Sequence, residues 1–208
     1  MNTLLHPSYF PSISHFAAII QADKLVFEVE DNFQKQTNRN RTYIYSPNGI
    51  QLLNIPIRHS KLGHQKTKEI QIENDSDWQK QHFKSLEAAY RSSPFFEYFE
   101  DDIRPFFEKK HTFLLDLNFE TLEIISKCLR MKFDFETTTE YFHETDPKEI
   151  LDFRFLANGK KDNSSFETYP QVFDDKHGFI NNLSVLDLLF NEGKFAIDYL
   201  KNQKLLIK

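Results

Sequence analysis

The run Thr3-Leu4-Leu5-His6-Pro7-Ser8-Tyr9-Phe10-Pro11-Ser12-Ile13-Ser14-His15-Phe16-Ala17-Ala18-Ile19-Ile20-Gln21-Ala22-Asp23-Lys24-Leu25-Val26-Phe27-Glu28-Val29 decides the fold class. Residues 3–5 read as a short strand that stops at His6-Pro7. From 12 to 21 the apolar residues Ile13, Phe16, Ala17 and Ile20 recur at helical spacing. Asp23 ends that helix, and residues 24–29 read as a second strand. Helices interleaved with strands from the first residues predict an α/β fold. The expectation is one domain over residues 1–208, with a three-layer, mostly parallel sheet and helices on both faces.

Outward from this opening, residues 41–45 and 51–57 flank Pro47-Asn48-Gly49, a turn signal that predicts a hairpin inserted beside the first strands. Residues 78–91 read as an amphipathic helix, with Ser76 and Gln79 at capping-box spacing. Ser93-Pro94 predicts a helix start, with an end before Pro105. Asn118 is expected to cap a helix over 119–130, and a Phe/Thr-rich strand follows near 132–138. Asp146-Pro147-Lys148-Glu149 reads as another helix start. Residues 158–165 form a polar loop, a helix begins near Asn182 and stops at Gly193, and a last helix runs to about residue 201.

The net charge of −5 conceals an asymmetry. Residues 32–68 contain no Asp or Glu but seven of the 26 basic residues, Lys35, Arg39, Arg41, Arg58, Lys61, Lys66 and Lys68. The rest of the chain keeps all 31 acidic residues and so stands at −12. A basic segment in an acidic body focuses phosphate or carboxylate, although a solvated loop would carry the same residues.

Three polar stretches compete for a site. His6-Pro7-Ser8-Tyr9-Phe10-Pro11 follows a strand and precedes a helix, where open α/β sheets bind ligands; the other reading is a rigid connector with Tyr9 and Phe10 in the core. The stretch from Glu30 to Arg41 is expected at the same sheet edge, as a site or as a charged surface turn. In it Lys35, Asn38, Arg39 and Arg41, with Tyr9, would bind an anion, since the guanidinium fork grips phosphate bidentately. Asp23, Glu30 and Asp31 are the candidate metal ligands. His177, beside Asp174-Asp175 and Gly178, is a candidate base or part of a capped turn. With His6 and His15 it completes the candidate acid–base groups.

The sequence carries no Walker A motif, Gly-x-Gly-x-x-Gly, Gly-x-Ser-x-Gly or His-Glu-x-x-His. The lone Cys128 and the scattered histidines predict no zinc site, and overall acidity weighs against duplex nucleic acid. No apolar run approaches bilayer length, residues 1–16 lack a secretory pattern, and no disulfide can form within the chain, so a cytoplasmic location is expected.

Taken in order, His6-Pro7-Ser8-Tyr9-Phe10-Pro11, Lys35-Gln36-Thr37-Asn38-Arg39-Asn40-Arg41, Ile55-Pro56-Ile57, Trp78-Gln79-Lys80-Gln81-His82, Tyr90-Arg91-Ser92-Ser93-Pro94-Phe95-Phe96 and Asn182-Leu183-Ser184-Val185-Leu186-Asp187-Leu188-Leu189 resemble the WbqC-like protein family over nearly the whole chain. The resemblance implies a role in bacterial surface polysaccharide (O-antigen-like) biosynthesis, with aminoacyl transfer as the suggested chemistry, and carries over no catalytic residue. A second resemblance, of Ser14-His15-Phe16 entering a helix ahead of Asp23, is to the opening of HIGH-type nucleotidyltransferases, although the Gly between paired histidines is missing.

These readings converge on a transferase moving an aminoacyl or similar group onto a nucleotide-sugar, with ATP or a nucleotide-sugar and Mg²⁺ as cofactors and a small anionic substrate as partner. On this reading Arg39→Ala is expected to abolish nucleotide binding without unfolding the protein. The rivals are a non-catalytic anion- or metabolite-binding or docking protein, and a single-stranded nucleic-acid binder that stacks bases on Phe33, Tyr43 and Tyr45.

Overall fold

A computed structural model describes residues 1–58 and 63–206. Lys61 of the basic segment lies outside the described residues. The chain opens with β1 (Asn2–Leu5), α1 (Ile13–Ile20) and β2 (Lys24–Phe27), as the opening sequence predicts. Thr3, Leu4 and Leu5 are all buried, so β1 is covered on both faces, as a parallel strand inside a sheet must be. Helix α1 holds no ionisable side chain other than its histidine and is buried along almost its whole length. It is therefore an interior helix rather than a surface helix with one apolar stripe.

The hairpin follows as β3 (Arg41–Ser46) and β4 (Gly49–Asn54), in antiparallel register from Arg41 opposite Asn54 to Ser46 opposite Gly49. Gly49 takes a φ of +93°, a conformation the turn reaches at no steric cost only with glycine. Three long helices come next: α2 (Trp78–Tyr90), α3 (Phe96–Glu108) and α4 (Leu114–Cys128). Short strands β5 (Phe135–Thr137) and β6 (Ile150–Asp152) complete the sheet, and α5 (Asp174–His177), α6 (Val185–Glu192) and α7 (Ala196–Asn202) complete the chain.

The four-stranded sheet runs β5–β2–β1–β6 with every pairing parallel, flanked by helices, and the hairpin forms a separate two-stranded sheet. Counted along the chain, its strands lie in the order third, second, first, fourth. The chain therefore leaves β1 toward β2 and β5 on one side and crosses back from β5 to β6 on the other, so that the sheet reverses its order between β1 and β6. One apolar cluster running from Leu5 through the helices to Leu200 holds the assembly together.

Several boundaries differ from expectation, each for a physical reason. Ser76 makes no cap; α2 starts behind Asp77, and the Gln79 side chain donates instead to the Lys109 carbonyl. The Ser93 hydroxyl donates back to the Tyr90 carbonyl at 2.7 Å, so α3 begins three residues later. Pro105 lies inside α3: it and Asp101, whose carbonyl it frees, are exposed, while Ile103, Phe106 and Phe107 are buried and keep the helix going. Asn118 sits within α4 because Leu114 and Leu117 before it are core residues. Asp146-Pro147 starts no helix. The Asp146 carboxylate accepts from the Lys148 N–H in a turn, and Ile150 and Leu151 are taken by the sheet.

Gly193 ends α6 at a φ of +55°, and a Cβ there would meet the Phe95 ring at 2.8 Å, so both backbone and packing demand glycine.

Candidate functional site

Because the strands are parallel, the residues following them collect at one edge: His6 after β1, Glu28 to Asn32 after β2, Thr138 after β5 and Arg154 after β6. There they form a buried polar network. Arg39 donates to Asp31 Oδ2 at 2.7 Å and to Thr67 Oγ1 at 2.9 Å, and Thr67 Oγ1 donates to Asp31 Oδ1 at 2.6 Å. Glu28, fully buried, accepts from Thr138 Oγ1 at 2.8 Å and from the Glu30 N–H at 2.9 Å, with Arg154 at 3.6 Å. His6 Nε2 lies 3.8 Å from Asp31 Oδ2. Burial, reinforced by the Arg39 and Arg154 charges, holds His6 well below the usual imidazole range, so it is neutral at pH 7.

The other candidates nearby face inward as well. His15 is buried with Nδ1 3.3 Å from Ser8 Oγ, and burial pulls it down to about 4. The Tyr9 hydroxyl meets His82 Nδ1 at 2.9 Å, and burial pushes the phenol well above its ordinary range. Tyr9 and Phe10 are core residues, so the loop after β1 serves as the rigid connector. Asn118 locks it by donating through Nδ2 to the carbonyls of Arg39, at 2.9 Å, and Pro7, at 3.3 Å. Arg39 is 1% exposed and spent on Asp31, and Tyr9 is wholly enclosed; neither presents itself to a ligand from solvent.

Beside this network opens a cleft of about 370 Å³. Its walls come from the loop before α1 (Ser12), the loop after β2 and the start of the hairpin (Gln36, Asn38, Arg41, Tyr43), the loop after β6 (Gly159, Lys160, Asp162, Ser164) and the residues before α6 (Asn181, Asn182, Ser184). This is the position between the loops of β1 and β6 at which parallel sheets of this order hold ligands. Backbone bonds fix the walls: Asn38 donates its N–H to the Ala157 carbonyl at 2.7 Å and accepts from the Tyr9 N–H at 3.0 Å. The Ile13 N–H donates to the Leu183 carbonyl, and the Val185 N–H donates to that of Pro11, both within 3 Å.

The chemistry of the cleft is mixed in sign. Arg41 and Lys160 are its cations. Asp162 is a half-buried carboxylate whose Oδ2 accepts from Ser14 Oγ at 2.5 Å and Asn182 Nδ2 at 2.6 Å, and whose Oδ1 accepts from the Ser164 N–H at 3.0 Å. Ser14 Oγ lies 3.0 Å from Ser12 Oγ, so a hydrogen-bonded chain runs from the carboxylate to the cleft wall. A carboxylate has about four acceptor directions, which leaves Asp162 one for a ligand donor.

Of the sequence candidates, Asn38 and Arg41 line this cleft, and Lys35 lines the adjoining cavity. His177 lies on the hairpin tip, where its Nε2 is 3.0 Å from the Pro47 carbonyl and its ring packs near Tyr45. Asp23 is exposed and pairs with the N-terminal amine at 3.0 Å; Glu30 pairs with Lys68 at 2.6 Å. Asp23, Glu30 and Asp31 do not converge, and among the described residues no three of His, Cys, Asp and Glu gather as metal ligands. Tyr45 is fully buried, which removes one of the three rings offered for base stacking. Cys128 is a core residue whose thiol burial pushes up to about 12. Ser12, Lys160, Asp162 and Asn182 are the site residues that the sequence reading passed over.

Fold and site together define a parallel α/β protein with a rigid polar cleft at the switch point of its sheet. The chain belongs to the WbqC-like protein family, whose model matches residues 6–162. It is similar to "Uncharacterized protein Rv1507c" of Mycobacterium tuberculosis (strain ATCC 25618 / H37Rv), at 27% identity over 226 residues, covering 95% of this chain and 96% of that protein. No solved structure matches it. Among the described residues, no helix is long and apolar enough to cross a membrane.

Proposed function

We propose that this protein is a transferase of surface-glycan assembly that moves an aminoacyl or similar group onto a nucleotide-sugar held in the switch-point cleft. The observation that carries the proposal is the set of groups on the walls. Asn38, Asn181, Asn182, Gln36 and Ser12 suit the hydroxyls of a sugar. Arg41 and Lys160 suit a diphosphate, and Tyr43 with Ile50 offers an apolar wall for a ring. Asp162 suits an amine, either as its counter-charge or as the acceptor of its proton when the nitrogen attacks an acyl carbon. ATP would activate the acyl group, with Mg²⁺ entering on the phosphates rather than on a carboxylate cluster of the protein.

One observation favours a non-catalytic metabolite-binding protein instead: His6, His15 and His177 do not line the cleft. Turnover separates the two readings. Purified protein is screened by thermal shift against nucleotides, nucleotide-sugars and amino acids with Mg²⁺, and ligands that stabilise it are then combined and assayed for product. The transferase reading expects stabilisation by a nucleotide-sugar, loss of that shift in Arg41→Ala, and product from the paired substrates. Binding without product under every pairing supports the binding protein; no stabilisation by any nucleotide-sugar overturns the cleft assignment.

A further inference from the structure

The cleft does not end at its own walls. Gln36 and Arg41 line both it and a second cavity of about 400 Å³, bounded by Asn54, Ile55, Pro56 and Glu73. Phe33, Lys35 and Ile57 then line both the second cavity and a third of about 360 Å³, where Arg58 and His64 lie. The three cavities follow one another along the acid-free segment through these shared lining residues, and we read them as one groove; each is the size of a small-ligand site. A single nucleotide-sugar in the switch-point cleft leaves the other two empty.

The charge of this extension is one-sided. Lys66 and Lys68 are turned away from it, bound to the Glu30 carbonyl and carboxylate at 2.5 and 2.6 Å. Lys35, Arg41 and Arg58 remain along the groove. Among the described residues its one lining acid, Glu73, sits 3.6 Å from Arg58, in a pair exposed enough to open. The groove therefore selects an extended anion.

We infer that the extension is the seat of a second ligand, an anionic glycan chain, which lies over Lys35 and Arg58 while the nucleotide-sugar fills the cleft. This rests on the transferase reading of the cleft. The two ligands meet at Gln36 and Arg41, the residues common to both spaces, so both are bound at once. A nucleic acid strand fits less well, because it needs successive exposed aromatic rings and, among the described residues, Phe33 is the one Phe, Tyr or Trp lining the extension.

The test is calorimetric titration of the wild-type protein with tetragalacturonate, with phosphorylated pentamannose, with neutral mannopentaose and with oligothymidylate. The two anionic sugars distinguish carboxylate from phosphate as the recognised charge. At least one is expected to bind in preference to mannopentaose, and to bind about tenfold more weakly to the double variant Lys35→Ala/Arg58→Ala. Lys160→Ala is expected to leave that binding unchanged. Both substitutions sit on exposed side chains, and an unaltered melting temperature verifies folding.

A nucleotide-sugar found in the screen should bind the glycan-loaded protein undiminished, with its affinity reduced by Lys160→Ala and not by the double variant. Equal binding of charged and neutral sugars, no binding of any sugar, competition between glycan and nucleotide-sugar, or tighter binding of oligothymidylate would each overturn the inference. Glycan binding with the stated dependence but no nucleotide-sugar binding would sustain the groove and sink the nucleotide-sugar reading of the cleft alone.

Discussion

Arg39 and Arg41 stand two residues apart in one loop, and the fold treats them oppositely. Arg39 lies under the carboxyl edge of the sheet, enclosed by Asp31, Thr67 and the Asn32 carbonyl. Arg41, the first residue of β3, is only partly buried, reaches Asn54 Oδ1 at 3.2 Å and lines two cavities. A guanidinium in the first position is part of the scaffold: it neutralises a buried carboxylate and is held by that duty. In the second it faces open cavities. Polar residues at the carboxyl edge of this parallel sheet thus divide into those that hold the edge together and those that line the cavities beside it.

The largest break in that comparison is expected from Arg39→Ala. It strands Asp31 without its counter-charge and should cost roughly 3–5 kcal/mol in urea unfolding, the usual result of removing one partner of a buried pair. This replaces the expectation that Arg39→Ala would leave the fold intact. A loss below ~1 kcal/mol would mean that Arg39 is not structural.

The second effect is on pH. His15 and His82 are held down to about 4 by burial, against an unfolded value of about 6.5. The sign follows from linkage: between these values the unfolded chain takes up protons that the native protein refuses. Stability is therefore full above pH 6.5 and is lost as pH falls toward 4, by about 1.4 kcal/mol per pH unit for each histidine so lowered, His6 included. Urea titrations at pH 7, 6 and 5 should show this slope, reduced by one proton in His82→Gln; a flat profile would mean that these rings are solvated.

A smaller effect is expected at Asn118, whose amide joins the scaffold loops. Asn118→Ala leaves the Pro7 and Arg39 carbonyls without that donor and should cost about 1–3 kcal/mol. Hydrogen exchange should rise in residues 6–11 and 38–40, and unchanged exchange there would show that the loops are held by other contacts.

Much of the fold is legible in the sequence, and less of the site. The opening strand, helix and strand could be read because apolar spacing and the breaks at Pro7 and Asp23 agree. Pro47-Asn48-Gly49 announced the hairpin for the same kind of local reason. Strand β6 escaped because Asp146-Pro147-Lys148-Glu149 satisfies the local rules for a helix start, while pairing with β1 is a long-range choice. Missing β6 concealed that residues 158–165 follow a strand end, so Lys160 and Asp162 were passed over as loop residues. The convergence of His6 and Asp31 at one edge was foreseeable from strand direction. Which of Arg39 and Arg41 points inward was not, since composition cannot tell a buried guanidinium from an exposed one.

The measurement that bears most directly on this division pairs Arg39→Ala with Arg41→Ala in one thermal-shift experiment, with and without the best-binding nucleotide-sugar. Arg41→Ala should melt within about 0.5 kcal/mol of the wild-type stability and lose the ligand-induced shift. Arg39→Ala should melt well below wild type and, where still folded, keep a shift. The reverse pattern, with Arg41→Ala shifted fully by ligand and Arg39→Ala stable but unresponsive, would contradict the account and return the binding role to the buried arginine.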